Sequence, residues 1–505
     1  MLLTRLVETS AALAATRSRL EKRSLLAETL QACAPEEIDV VATYLSGQVR
    51  QRRTGLGWRS LVAMPEPAPT PTLTPTAVDA ALEEISALAG TGSQAARAAA
   101  VATLFGAATA PEQPYLQALV LGELRQGALD SLLLDAIAAA ADVPVAAVRR
   151  AAMFSAASGP IALAALTGGE TSLARFRPEV GRPVRPMLAS AAPTVADALE
   201  KVGSAVAADC KIDGIRVQLH RRGDEVRVFT RSLDDITDRV PDVVDVVRAL
   251  DVESAILDGE AIALGPEGRP RPFQETGSRA MSRDGAALRA QVPLTTYLFD
   301  LLHLDGRDLI DAPAAERFAA LERLVPAGAL VPRRVSADPA ELADFFREVL
   351  ALGHEGLVLK DLDAPYDAGR RGAAWVKVKP RHTLDLVVLA VEWGSGRRQG
   401  WLSNIHLGAR DGDGFVMLGK TFKGMTDEML AWQTERFLAL ETSREGHVVH
   451  VRPEQVVEIA FDGIQTSPRY PAGMALRFAR VLRYRDDKSA AEADTVDAVR
   501  ALALP

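Results

Sequence analysis

The hydrophobic period of this 505-residue chain changes once, and that change restricts it to a multidomain fold, helical first and strand-bearing afterwards. From Met1 to about Leu173, Ala/Leu-rich stretches such as Ser24 to Ala34 and Ser93 to Ala107 recur with few β-branched runs, which predicts an all-α first domain. Within it, Pro65, Pro67, Pro69, Pro71 and Pro75 crowd Met64 to Thr76, where neither helix nor central strand persists, so an internal loop is expected there. Prolines mix with arginines from Arg175 to Met187, where the helical pattern stops. That break is read as the first domain boundary.

Beyond Asp209 the period shifts towards two. Ile215, Val217 and Leu219 alternate with Arg216, Gln218 and His220, and Val226 and Val228 follow the Arg222-Gly223-Asp224 turn, which predicts a β-hairpin. Strand-like segments (Ala255 to Leu264, Thr295 to Leu302, Gly356 to Leu359) alternate with helical ones (Ala314 to Leu324, Pro339 to Leu352), giving an α+β domain to about Arg381. From Leu384 to about Tyr484, β runs at Leu386 to Trp393, Phe415 to Lys420 and Val456 to Phe461 surround one helical stretch, Asp427 to Leu440, so a small β-barrel with one helix is expected. The expected division is 1–175 helical, 176–190 linker, 191–381 α+β, 382–488 barrel and 489–505 a C-terminal tail, either a short helix or frayed.

Composition excludes several classes. With 48% hydrophobic, 25% charged and 5% aromatic residues the chain is neither disordered nor collagenous. The apolar window Ala128 to Ala147 is interrupted by Asp130, Asp135 and Asp142, so no membrane span is expected. A net charge of -8 argues against holding nucleic acid by overall positive charge and leaves local basic patches open. Two cysteines, Cys33 and Cys210, make neither a four-thiolate zinc site nor a disulfide framework, which favours a reducing, cytoplasmic setting. None of the seven histidines lies in an H-E-x-x-H spacing.

Chemistry concentrates in the α+β part and after it. Lys211-Ile212-Asp213-Gly214-Ile215-Arg216 sets a lysine before a tight Asp-Gly turn that opens a strand, where it faces a pocket. Alone this pattern reads equally well as a surface lysine before a hairpin. Asp258-Gly259-Glu260 places two carboxylates on one face of an apolar strand, costly without cations or donors nearby. Glu355 to Lys360 sets a carboxylate and a lysine at the ends of another strand, Trp375-Val376-Lys377-Val378-Lys379 puts two lysines on one face of a third, and Arg477 to Lys488 is densely cationic. Singly, each is as well explained by ion pairing or a solvated face. Together they supply a nucleophile, metal-binding carboxylates and phosphate-binding cations, the set needed for attack on a nucleotide phosphate.

On these segments, with Thr230-Arg231 and Tyr297-Leu298-Phe299-Asp300 between them in order, the chain resembles the ATP-dependent DNA ligases among the covalent nucleotidyltransferases. Gly122-Glu123-Leu124-Arg125-Gln126-Gly127 and Pro183 to Ala189 extend the likeness into the helical part, as in bacterial ligases with an N-terminal helical DNA-binding domain. The resemblance implies a helical DNA-binding domain, an adenylation domain and an OB-fold. It implies that Lys211 attacks the α-phosphate of ATP to form lysyl-AMP. Asp209 stands where the family usually has a glutamate at the adenine end, and Phe299 stacks on adenine. Arg216 and Arg231 serve the ribose and phosphate side, Glu260 the ribose or metal, and Glu355 helps to hold Mg²⁺. Arg371, Lys377 and Lys379 bind phosphate, Arg477 through Lys488 orients pyrophosphate, and Ala479 replaces a proline common among relatives. AMP then passes to the 5′-phosphate of a nick in duplex DNA, and the 3′-hydroxyl displaces it.

A lysine amine is mostly protonated at neutral pH, and Lys377, Lys379 and bound Mg²⁺ are expected to favour its neutral form. Arg125, Gly127, Arg182, Arg185 and the arginines at 50, 52 and 53 are candidates for DNA contacts, each as readily an ordinary solvated residue. A protein that encircles DNA works as a monomer. The competing readings are an RNA ligase or GTP-using capping-type enzyme, which shares the lysine, and a non-catalytic DNA clamp, which leaves the conjunction of Lys211, Glu260, Glu355 and Lys377 unexplained.

Overall fold

The computed structural model describes residues 1–51, 54–61, 64–124, 126, 130–203, 205–282, 285–369, 371–395 and 398–502; the side chains of Ala286 and Arg371 lie outside that description. Its first part is helical, running from Leu3–Ala15 through Arg19–Gln31, Ile38–Leu45, Pro75–Ala87, Ser93–Gly106, Glu112–Val120, Asp130–Ala141 and Val145–Met153 to Gly159–Leu173. Leu6, Leu26, Val41, Ile85, Phe105, Ile137 and Ile161 form one core between these helices. The proline-rich stretch ends where the sequence supplies a helix start: the Thr74 hydroxyl accepts from the Ala77 N–H, and Pro75 occupies the first turn, where its missing donor costs nothing.

The stretch 176–190, expected as a linker, is pinned along its length. Val184 exchanges two hydrogen bonds with the Gln218 amide (2.6 and 3.0 Å), Gly181 N–H donates to His220 Nδ1 at 3.0 Å, and Met187 N–H donates to the Tyr366 hydroxyl at 3.0 Å. Val184 and Met187 are buried with Met153, Phe154, Tyr366 and Trp375, so helical and middle parts share a core at this joint.

The middle part holds two five-stranded sheets. In one the order is Leu188–Ala192, Arg371–Val378, Gly356–Asp361, Val206–Lys211, Arg333–Ser336. In the other, Glu225–Thr230, Ile215–Arg222, Ser254–Ala263, Leu294–Leu304 and Arg307–Asp308 follow one another. The predicted hairpin forms, and the helices Ala314–Leu324 and Pro339–Ala351 lie where the sequence placed them, the second capped by the Asp338 carboxylate on Ala340 N–H.

Beyond Arg381 the long strand His382–Trp393 pairs on one edge with Leu402–Asp411 and on the other with both Val448–Val451 and Val456–Phe461. With Gly414–Thr421, Glu441–Glu445 and Arg480–Tyr484 this makes a seven-stranded sheet, and helix Asp427–Ala439 buries Leu430 and Phe437 against it. Among the described residues the ladder is an open path rather than the closed ring of the expected barrel. The gap is bridged by loop bonds, Val481 N–H to Lys423 O at 2.9 Å and the Thr421 hydroxyl to Ala479 O at 2.6 Å. The expected tail is docked as far as Leu502: Val496 and Val499 of helix Val496–Ala501 enter the core, and the Asp494 carboxylate accepts from Asp385 N–H at 2.7 Å.

Candidate active site

Between the two middle sheets, with the C-terminal part at its mouth, lies a cleft of about 940 Å³. Lys211, Asp209, Arg216, Arg231, Glu260, Phe299, Glu355, Lys377, Lys379 and Arg477, far apart in the chain, all line it. Strand pairing produces the convergence. Lys211 ends its strand opposite Gly356, which puts Glu355 beside it, and Glu355 N–H donates to Lys211 O at 3.0 Å. Arg216 faces Glu260 across the second sheet. The glycine of Lys-x-Asp-Gly is required by close approach, because a Cβ at Gly214 would lie 2.4 Å from Ala261 O. Gly356 has φ +139°, and a Cβ there would lie 2.2 Å from Val378 O.

Lys211 Nζ forms an ion pair with Glu355, and Lys379 Nζ reaches the other Glu355 oxygen at 2.8 Å. Burial pushes the Lys211 amine towards neutrality, but Glu355, Glu260 and Asp213 outweigh it and hold its pKa above the ordinary lysine value. The electrostatics expected from neighbouring cations are thus reversed in this state, because the nearest partner of the lysine is a carboxylate. Glu355 would be raised by burial, yet Lys211 and Lys379 bring it down to about 2. Glu260 is pushed up to about 7 by burial, only partly offset by Lys211 and Arg216.

Arg216 uses four of its five donor hydrogens within the protein: Nε and Nη2 on Asp258 (3.0 and 2.6 Å), Nη1 on Met187 O (2.5 Å) and Nη2 on the Tyr366 hydroxyl (3.1 Å). Asp258 is therefore its counter-ion, which explains the second carboxylate of Asp258-Gly259-Glu260. The Phe299 ring is edge-on to Trp375 at 6.0 Å, with Lys360 Nζ 4.4 Å from its centroid. Asp209 lies deeper, its carboxylate paired with Arg333 (2.5 and 2.9 Å) and Lys360 (2.6 Å). At the mouth, Arg477 grips Asp213 at 2.6 Å and Asp462 approaches Lys379 at 3.5 Å.

Other expected site residues lie elsewhere. Lys488 binds Asp385 at 2.6 Å, next to Arg485 on the same carboxylate, and is not among the residues of the cleft wall. Arg185 is drawn into the joint by Ser155 O at 2.9 Å and Asp130 at 3.5 Å. Arg182 is exposed and paired with Glu179 at 2.8 Å, and Arg50 is bound by Asp79 and by Asp39. Arg125, Gly127, Arg52, Arg53 and the Arg371 side chain lie outside the described residues. The sequence reading missed Arg333, which pairs with Asp209, and Asp462 and Phe273, which line the cleft. Arg333 meets Asp209 across 124 positions and lies in no motif; Asp462 carried a faint signal, an Asp-Gly pair directly after a strand.

Comparison with known proteins shows what the chain as a whole is similar to. Residues 186–379 match the family model for the ATP dependent DNA ligase domain, 398–488 that for the ATP dependent DNA ligase C terminal region, and 60–138 that for the DNA ligase N terminus. Full-length relatives include a probable DNA ligase of Beutenbergia cavernae, 61% identical with 100% of both chains covered. Another, from a Nocardioides species, is 62% identical over 99% of this chain and 98% of its own. Among solved structures, Pmar-Lig_PreS3 superposes with a TM-score of 0.64 at 18% identity, covering 95% of this chain and 99% of its own, a likeness of fold.

Proposed function

This chain belongs to the ATP-dependent DNA ligases, and from that premise we propose that it seals nicks in duplex DNA through an AMP carried on Lys211. The observation that carries the reading is the meeting of Lys211, Glu355 and Lys379 in one cleft with Phe299 at its wall. Lys211 loses its ammonium proton to water, and its Nζ lone pair attacks the α-phosphorus of ATP. The N–P bond forms as the bond to the bridging oxygen breaks, and pyrophosphate leaves with that electron pair. The nick's 5′-phosphate then takes AMP from the lysine, and the 3′-hydroxyl displaces AMP to close the strand.

The residues fit the remaining roles. Phe299 offers a ring to adenine and Asp209 an acceptor, while Arg231 and the Arg216 donor left over among the described residues serve ribose and phosphate. Lys377 and Lys379 neutralise the phosphates, and Arg477 meets pyrophosphate when Asp213 releases it. Among the described residues no group of three or more His, Cys, Asp or Glu side chains is disposed to hold a metal ion by itself. Mg²⁺ suits this, since it commonly takes one or two carboxylates together with substrate phosphates, and Glu260 and Glu355 are those carboxylates. Bound there, Mg²⁺ supplies charge neutralisation on the triphosphate. Arg182 remains a candidate for DNA phosphate, whereas Arg185 is used within the protein.

We place the domains at 1–175, 191–381 and 382–488, read the last as an OB-fold whose ladder is completed by loops, and infer a monomeric, cytoplasmic enzyme. Cys33 and Cys210 are free thiols, and among the described residues no helix is long and apolar enough to cross a membrane. Intact mass tests the reading, on protein discharged with pyrophosphate and then given Mg²⁺ with ATP, GTP or NAD. The expected result is one added AMP with ATP only, absent in Lys211→Ala and removed by nicked duplex. A GMP adduct would move the chain to capping chemistry. No adduct would leave a DNA clamp.

A further inference from the structure

The Asp209 carboxylate is buried and heavily engaged. Arg333 places Nε on Oδ1 at 2.5 Å and Nη2 on Oδ2 at 2.9 Å, and Lys360 Nζ adds a contact to Oδ2 at 2.6 Å. A carboxylate offers about four lone-pair positions, so these three contacts leave one. Arg333 does a second thing: its Nη2 also donates to Phe299 O at 2.9 Å, and Lys360 Nζ lies 3.5 Å from the same carbonyl. One guanidinium therefore fixes the carboxylate and the backbone of the aromatic ring assigned to adenine. Arg333 is itself immobilised, stacked 3.6 Å from the Phe318 centroid.

We propose that Arg333 is a positioning residue that makes the site selective for adenine over 6-oxo purines, by holding Asp209 as an acceptor-only carboxylate in register with the Phe299 ring. The inference rests on the reading that Asp209 and Phe299 meet the base. An adenine 6-amino group donates a hydrogen bond, whereas the 6-oxo group of guanine or hypoxanthine accepts one. Facing an ionised carboxylate, a 6-oxo group sets acceptor against acceptor and is itself left without a partner, a mismatch that discriminates strongly in buried sites. Without its cations a carboxylate this deeply buried would take up a proton and become a donor as well. Arg333 and Lys360 hold Asp209 below its ordinary carboxylate pKa against the effect of burial, in agreement with the geometry.

The test follows formation of the nucleotide adduct on Lys211 by intact mass, with ATP and with ITP, across nucleotide concentrations. It compares wild type, Arg333→Met, Arg333→Gln, Arg333→Lys and Asp209→Asn, each first shown to be folded by its melting transition. The two neutral variants are expected to raise KM for ATP and to lower the ATP-over-ITP ratio of kcat/KM by roughly tenfold or more. Arg333→Lys, which keeps the charge and loses the fork, is expected to recover part of the ratio. Should Arg333→Met not fold, Arg333→Gln carries the comparison. A merely structural role would slow both nucleotides by the same factor; that outcome, or an unchanged ratio, overturns the proposal. Asp209→Asn separates the two levels. A ratio altered there and not in the Arg333 variants removes Arg333 alone, whereas a ratio unaltered in Asp209→Asn removes the base-contact reading itself.

Discussion

At Lys211 the ammonium is the wrong form for the proposed attack, and Glu355, with Glu260 and Asp213, favours it against the effect of burial. Lys379 already holds the other Glu355 oxygen in this state, so under the proposed function the Lys211 amine is expected to be freed only when its own pairing with Glu355 is broken. A second titration is independent of the cleft. His220 accepts from Gly181 N–H at Nδ1, and its Nε2 lies 2.9 Å from Gln218 Oε1, so the ring is held neutral where 176–190 docks. Burial, with His303 and Arg227, lowers its pKa to about 3. Below the ordinary value of 6.5 the unfolded chain binds a proton that the folded one refuses, so stability falls as pH drops from 6.5 towards 3. Urea unfolding at several pH values is expected to show His220→Gln with a shallower acid slope, by up to about 1.4 kcal/mol per pH unit. Among single residues, Lys211, Glu260, Phe299, Glu355, Lys377 and Lys379 were legible because each belongs to a short ordered motif, and the structure brings them to one cleft. Arg333 was not, since only the pairing of Val206–Lys211 with Arg333–Ser336 brings it to Asp209.

Elements were legible wherever local chemistry agreed with tertiary need. Helix Ala314–Leu324 and strand Val456–Phe461 begin and end where the sequence placed them. The joint at 176–190 reads as a linker because its partners, Gln218, His220 and Tyr366, come from other elements and leave no periodic trace in the stretch itself. Barrel closure was illegible for a related reason. Closure depends on strand edges, and here the loop bonds at Lys423 and Ala479 stand in for a ladder. Strand Gly356–Asp361 is exposed to a single change at its first residue. Gly356→Ala would drive a methyl into Val378 O and force an L residue to φ +139°, at a cost of roughly 1–3 kcal/mol or more. Its effect is expected on chemistry as well as on melting, because Glu355 precedes it and Lys379 follows Val378; a lowered melting point with unaltered lysine adenylation would contradict this.

Across the molecule, the C-terminal part meets the cleft through Arg477 on Asp213, Asp462 on Lys379 and Gln274 on Thr466 O at 3.0 Å. Arg477 comes from the C-terminal part and Lys377 and Lys379 from the middle part, so under the proposed function pyrophosphate chemistry and strand sealing are expected to need different placements of the C-terminal part. Arg477→Ala is expected to slow adduct formation with ATP by roughly a hundredfold while sealing of a nick that already carries 5′-AMP falls far less. Parallel single-turnover assays on the two substrates measure this, and equal losses would refute it. The Lys211–Glu355 pair has one more consequence, for life between turnovers. Acyl phosphates, aldehydes and other electrophiles of metabolism modify free amines, not ammonium ions. A lysine stored with a proton and a counter-ion is a poor target for them, so on the proposed function the pairing of Lys211 with Glu355 would also shield that nitrogen from adventitious chemistry between turnovers.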